Sequence, residues 1–283
     1  MMALICVLVW GSTFVVSKHL MVHLQPVQLM LLRFILAYGA LWLIHPKWYF
    51  RWREEWRFVL MAVFANTLYC WAENTAITLT QASNVSILVA TSPIITALVL
   101  PLFRKEDRLT RNQAIGFAIA FAGVVMVVLN GAFTLHLNPA GDLLALLASA
   151  SWAAYGLLLR RWSDQYDSAL ITRKLMFYGI LTALPLVILD GHPIDFPALL
   201  TLDNLASLAF LAFIGSAACY LLWGSAIQRI GVLKANLYIY MVPLVTLLVS
   251  AVVLRERITL MGFAGIACVI SGMVLGTVQK KSP

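Results

Sequence analysis

The chain has 283 residues, 62% of them hydrophobic and only 11% charged, with a mean hydropathy of +0.90. Soluble domains carry roughly 25% charged residues, so this composition excludes a water-soluble globular fold. A net charge of +8 would suit a nucleic-acid binder, but the charges are placed as a membrane protein places them.

Ten apolar runs approach the roughly 20 residues that a helix needs to cross a hydrocarbon core. They cover residues 2–22, 27–46, 57–79, 83–102, 110–130, 140–160, 170–189, 204–226, 232–254 and 259–278. What remains is too short for a soluble domain. The first run carries Trp10, Thr13 and Ser17 at helical spacing, one polar-aromatic stripe on an apolar helix. It lacks the basic lead and small-residue cleavage site of a signal peptide, so a retained helix is expected. The second run opens with Pro26, suited to a first helical turn, and holds Arg33, Tyr38 and Gly39. The third holds Asn66, Tyr69, Glu73 and Asn74, the fourth Asn84 and Pro93, and the fifth the small packing residues Gly116 and Gly123. After a charge-free linker come Trp152, Tyr155 and Gly156 in the sixth run and Arg173, Tyr178 and Gly179 in the seventh. Ser216, Tyr220 and Trp223 share one face of the eighth, and Asn236, Tyr240 and Pro243 lie in the ninth. The tenth ends with Gly272 and Gly276, a GxxxG pair that permits close helix approach within one chain or between two.

The connections between runs carry the charge. With a cytoplasmic N-terminus, sixteen of the twenty Lys and Arg residues fall on the inner side, leaving Lys18, Arg33, Arg255 and Arg257 toward the outside. Such a bias sets orientation. Asp190, Asp195 and Asp203 on the outer side agree, and both termini are expected in the cytoplasm.

The two halves repeat. At an offset of 150, Ala76-Ile77 meets Ala226-Ile227, Pro93 meets Pro243, Thr96 meets Thr246 and Glu106 meets Glu256. After one dropped residue Gly116 meets Gly265 and Gly123 meets Gly272, while Arg33, Tyr38 and Gly39 meet Arg173, Tyr178 and Gly179 at an offset of 140. Repeats of this kind decide the fold. Five runs per half is odd, so the halves enter the bilayer in opposite senses. The expected fold is an all-α integral membrane protein of ten transmembrane helices in two inverted five-helix repeats. Residues 1–131 and 142–283 form the repeats, with 132–141 as linker. Inverted repeats are a recurring plan of secondary transporters, whose site lies between the halves near the midplane.

The run Ala76-Ile77-Thr78-Leu79-Thr80-Gln81-Ala82-Ser83-Asn84, then Ser92-Pro93, Glu106 and the Gly116/Gly123 helix, resembles EamA-like members of the drug/metabolite transporter superfamily. So do Tyr220-Leu221-Leu222-Trp223, Val242-Pro243 and Leu254-Arg255-Glu256-Arg257-Ile258-Thr259 in the second half. Trp10-Gly11-Ser12-Thr13-Phe14 is similar to the family's first-helix motif. The resemblance implies five plus five inverted helices with both termini inside. It also implies export, without ATP, of metabolites such as amino acids, or of drugs. The expected setting is a bacterial-type cytoplasmic membrane. The partners are the lipid bilayer, a small-molecule substrate and either a proton or no coupling ion, with no nucleic acid, as monomer or homodimer.

Glu73 is the sharpest candidate contact, since an acid at bilayer depth costs about 2.5–3.5 kcal/mol on insertion scales and faces a cavity or a partner. Its repeat position is Trp223, so symmetry fails there. Arg33 and Arg173 either snorkel to the interface or serve as an anion contact or gate. Pro93 and Pro243 either free a carbonyl for substrate or simply kink a helix. Trp10, Tyr38, Tyr69, Trp152, Tyr155, Tyr178, Tyr220, Trp223 and Tyr240 either build an aromatic pocket or pack helices. Thr13, Asn66, Asn84 and Asn236 supply polar contacts. Trp48, Trp52, Trp56 and Trp162 read as an interfacial belt. The five histidines lack metal-ligand spacing, and no zinc-protease or phosphate-loop motif occurs. No metal, cofactor or enzymatic role is expected.

Overall fold

In lipid a backbone amide finds no water, so an apolar run satisfies its N–H and C=O groups internally, as helix. A computed structural model of the chain describes residues 1–79, 82–103, 109–129, 138–253 and 258–277, and every regular element among them is helical. In order these are α1 (Met2–Leu20), α2 (Pro26–Ile44), α3 (Trp52–Ala62), a wide π-helical turn Val63–Thr67, α4 (Leu68–Leu79), α5 (Ala82–Val89), α6 (Ser92–Phe103) and α7 (Arg111–Leu129). The second half has α8 (Pro139–Trp162), α9 (Ser168–Asp190), the short α10 (Phe196–Leu199), α11 (Leu202–Ala209), a second wide turn Phe210–Ala218, α12 (Cys219–Ile230), α13 (Val232–Ile239), α14 (Met241–Val253) and α15 (Leu260–Thr277).

Seven stretches among the described residues are long and apolar enough to cross a membrane: 26–44, 111–129, 139–162, 168–190, 202–230, 232–249 and 260–277. The molecule is an all-helical, multi-pass membrane protein. The run expected at 57–79 is absent from that set because Asn66, Glu73 and Asn74 dilute its hydropathy. The runs expected at 2–22 and 83–102 fall partly on side chains outside the described residues. Much of the expected linker 132–141 also lies outside them. Asn138 then caps α8, its side chain accepting the amides of Ala140 and Gly141.

Pro93 and Pro243 lie inside the apolar stretches 87–102 and 232–249, just after a break in the helix. Each stands in the first turn of a new helix, α6 or α14, where a missing N–H costs nothing. The prolines inside helices are Pro101 in α6 and Pro185 in α9.

Packing between the halves is reciprocal. Helix α1 packs on α12 and α14, while α8 packs on α4 and α6; α2 lies along α9, and α7 along α15. The α7–α15 seam is built from glycines. A Cβ at Gly116 would lie 2.6 Å from the Gly272 carbonyl oxygen, and one at Gly272 only 2.5 Å from the Ala120 nitrogen. The Gly272–Gly276 pair is therefore used within the chain.

The wide turns are also tied across the halves. Trp10 on α1 donates its indole N–H to the Gly215 carbonyl at 3.1 Å, and Ser151 on α8 donates to the Phe64 carbonyl at 2.8 Å. A π-turn shifts bonding to i+5, which leaves carbonyls for side chains to take.

Candidate functional site

Large rings from four helices meet between the halves. Trp10 of α1 stands 5.7 Å edge-on from Trp152 of α8, and 6.0 and 5.2 Å from Tyr220 and Trp223 of α12. Trp152 in turn meets Tyr69 of α4 at 5.2 Å and Tyr155 at 5.3 Å. These separations suit edge-to-face and tilted pairs. Trp223 and Tyr155 are fully buried, whereas Trp10, Tyr69 and Trp152 keep part of their surface open.

Polar groups enter the same space. The Tyr69 hydroxyl donates to Glu73 Oε1 at 2.7 Å, one turn along α4. Glu73 remains partly exposed. From α2, Arg33 donates through Nε and Nη2 to Ser216 Oγ at 3.2 and 3.1 Å, and Ser216 donates to the Leu211 carbonyl at 2.9 Å. Arg33 points at the second wide turn instead of reaching for the interface. Its Nη2 lies 3.9 Å from where a Cβ on Gly215 would sit, beside the carbonyl that Trp10 bonds, so a guanidinium stands next to the rings. Thr13 closes one side, its Cγ2 3.0 Å from where a Cβ on Gly215 would sit. Trp10, Trp152, Tyr155, Tyr220 and Trp223 pack within the main buried core between the halves, with the Glu73 carboxyl and the Arg33 guanidinium on the neighbouring elements.

Other expected contacts lie elsewhere. Tyr38 accepts the Trp42 indole N–H at 2.8 Å and packs on Phe177. Asn66 is fully buried in the first wide turn, where its amide donates to the Leu175 carbonyl at 2.9 Å while Oδ1 finds no protein partner. Tyr240 rests on Phe117 and Phe121 of α7, and Asn236 is buried on α13. The Asn84 side chain lies outside the described residues. Arg173 ties α9 to the end of α2: it donates to the His45 carbonyl at 2.5 Å and to that of Lys47, with its guanidinium 4.8 Å over the Trp42 ring. A cation at a helix C-terminus complements the helix dipole, so this is a structural clamp. Trp162 is buried edge-on against Trp56 at 5.4 Å, while Trp48, Trp52 and Trp56 are exposed as a belt requires.

The profile of the EamA-like transporter family matches residues 1–129 and 139–278. The chain belongs to that family. A "Probable amino-acid metabolite efflux pump" of Salmonella typhimurium is 27% identical over 97% of this chain and 93% of its own length. An "Uncharacterized transporter" of Archaeoglobus fulgidus is also 27% identical, over 96% and 95%. "Protein PecM" of Dickeya dadantii is 26% identical over 94% and 88%. One crystal structure covers 98% of this chain and 97% of its own at 18% identity with a TM-score of 0.80, a likeness of fold. The molecule is a membrane transporter.

In this EamA-like chain, sequence reasoning passed over the residues at the α2–α3 end. Lys174 Nζ of α9 donates to both oxygens of Glu55 on α3, at 2.9 and 2.8 Å, and the Tyr178 hydroxyl donates to the same carboxylate at 2.5 Å. Tyr178, expected in the pocket, belongs here. Nearby, Glu54 accepts from the hydroxyls of Tyr49 and Tyr166. The Tyr49 hydrogen bond, with that of Tyr166 and the charges of Arg51 and Arg57, holds the Glu54 carboxyl below the usual carboxylate range. Burial and then Glu54 push the Tyr49 hydroxyl up to about 12, and burial raises Tyr166 as well. Two adjoining hollows of about 350 and 270 Å³ open here, sharing Tyr49, Asp167 and Leu170. The one signal in the sequence was a pair of acids, Glu54-Glu55, inside an otherwise basic connection. Among the described residues, no three His, Cys, Asp or Glu side chains are grouped as a metal site.

Proposed function

We propose that this EamA-like transporter is a secondary exporter of small organic metabolites, amino acids first and aromatic or hydrophobic ones especially. It works by alternating access across a bacterial cytoplasmic membrane. Ten helices in two inverted repeats, 1–131 and 142–283, rock about a shared site, with both termini in the cytoplasm and a proton or no ion as coupling partner. The observation that carries this reading is the cluster of aromatic and charged side chains between the halves. Trp10, Tyr69 and Glu73 from one half face Trp152, Tyr220 and Trp223 from the other, with Arg33 as counter-charge. Glu73 suits a substrate ammonium, Arg33 a carboxylate and the rings an apolar side chain. The matching wide turns, the helix breaks before Pro93 and Pro243, and the reciprocal packing support inverted repeats. The name of the Salmonella relative points the same way.

The test is counterflow of radiolabelled amino acids in proteoliposomes. Wild type exchanges aromatic amino acids and Glu73→Gln loses at least the larger part of that flux. No counterflow of any amino acid, with Glu73→Gln leaving another solute's transport intact, overturns the reading. A second reading, export of lipophilic cations, is favoured by the partly open carboxylate among aromatic rings. Competition between amino acids and lipophilic cations for binding separates the two.

A further inference from the structure

The two ends of the bundle are closed by different chemistry. At the α2–α3 end, Glu55, Lys174 and Tyr178 are 5, 8 and 9% exposed, so a complete ion pair is buried between α3 of one half and α9 of the other. Phe50 and Phe58 flank the ammonium at 5.5 and 5.8 Å. At the α1–α2 end the halves meet through Leu20, Leu24, Leu29, Leu199, Leu208 and Leu211. Among the described side chains, an exposed His19–Asp203 contact at 2.9 Å and a Gln28 hydrogen bond to the His192 carbonyl at 2.7 Å link the halves by polar groups there. Carried through the offsets of the repeat, Glu55 falls on Leu205, Lys174 on Phe34 and Tyr178 on Tyr38. The ion pair is therefore present once, where symmetry alone would supply two or none.

Stability does not explain it. Replacing a buried ion pair by apolar residues of similar volume is often neutral or stabilising, and the best-attested use of such pairs is as a switch or register device. A seal that must reopen has a further requirement. When apolar side chains part, they expose surface that water disfavours. When an ammonium and a carboxylate part beside water, each regains the hydration it gave up, so the closed and open forms stay close in energy. Arg51, whose amide donates to Glu55 Oε1 at 3.2 Å, lines an open hollow with Arg57, Tyr49 and Asp167, so water is at hand.

We infer that Glu55, Lys174 and Tyr178 form the latch of the α2–α3 end, which parts to admit substrate from that side and re-forms as the opposite end opens. The inference rests on the alternating-access reading above and adds the residues that set the balance between its two states. Ser168 and Arg173 on α9 keep their own partners, Leu221 and the end of α2, and stay in place as the latch opens.

The test follows Cys70, a partly exposed cysteine next to Tyr69 on α4, in a chain whose other three cysteines are alanine. Its labelling by an impermeant thiol reagent is timed from each face of oriented proteoliposomes. The apolar double variant E55M/K174M keeps the end shut and slows labelling from the α2–α3 face about tenfold, as expected when a two-state population moves toward one form. Lys174→Met alone leaves an unpaired carboxylate that seeks water, and speeds labelling from that face. The exchanged pair E55K/K174E restores rates near those of wild type. Should the double variant not fold, Tyr178→Phe keeps the pair, removes one hydroxyl and gives a smaller acceleration. Labelling rates unchanged in E55M/K174M, or in Tyr178→Phe where it stands in, overturn the latch. Labelling needs no substrate, so a failed counterflow assay with responsive labelling removes the substrate assignment and leaves the latch standing. Wild-type Cys70 unreactive from both faces overturns both.

Discussion

The halves of this transporter touch along two kinds of interface, and they differ in almost every physical respect. At the α7–α15 seam, backbones lie so close that a single methyl group has nowhere to go. At the aromatic cluster, bulky rings meet edge-on, polar atoms are interleaved, and Trp10, Tyr69, Trp152 and Glu73 keep open surface. Close packing of small residues is how membrane helices bind firmly without a hydrophobic driving force. The seam is thus suited to staying together, and the ring cluster, on the proposed function, to parting around a substrate. The same pseudo-symmetry supplies both; side-chain volume decides which one each becomes.

Substitutions test this contrast, in order of expected size. Trp223→Ala empties a fully buried site and should cost about 3–5 kcal/mol of stability, read as a fall in thermal unfolding temperature in detergent. Gly272→Ala at the seam should cost about 1–3 kcal/mol from overpacking against backbone. If it is neutral in the same assay, the seam is looser than described. Trp10→Phe keeps a ring but leaves the Gly215 carbonyl without its donor, for a loss of about 0.5–1.5 kcal/mol, together with reduced transport. Gly39, by contrast, has nothing within 4 Å of an added Cβ, so Gly39→Ala should stabilise by about 0.5–1 kcal/mol through helix entropy. One chemical change thus has opposite signs at two glycines.

The smallest effect belongs to the Tyr49–Glu54–Tyr166 clasp, outside both interfaces. Glu54 has a depressed pKa in the folded chain, so its contribution is present above the ordinary carboxylate range and is lost as pH falls through its own lowered value. Tyr49 is raised to about 12, so its contribution is present below the ordinary tyrosine value and is lost as pH rises through about 12. Unfolding temperature against pH should flatten on both limbs in Tyr49→Phe. An unchanged acid limb would mean that the hydrogen bond does not stabilise the carboxylate.

The meeting of Trp10, Trp152, Tyr220 and Trp223 was partly legible, because these rings lie away from the span ends where an interfacial belt would place them. Glu73 was legible because an acid is conspicuous among apolar neighbours. The latch was not. Glu55 reads as one more charge in Trp52-Arg53-Glu54-Glu55-Trp56-Arg57, and Lys174 as one of many inner-side cations. Only the approach of α3 to α9, which no local pattern encodes, buries them together. Pro93 and Pro243 were visible as interruptions of their spans, and the structure puts each in the first turn after the break. A proline disfavours helix in the residue before it, so the break precedes the ring. The wide turns left no trace, since a period of 3.6 cannot register a local change of pitch.

That change of pitch has a consequence for how one helix serves two masters. Glu55 and Glu73 are eighteen residues apart, about five turns of regular α-helix, and on an unbroken rod they would look the same way. The π-turn at Val63–Thr67 swings the upper segment out of phase with the lower. The first acid is thereby aimed at α9 and the second toward the rings of α8. A chain with a uniform pitch from Trp52 to Leu79 would aim Glu55 and Glu73 in one direction, and one of the two would lose its partners.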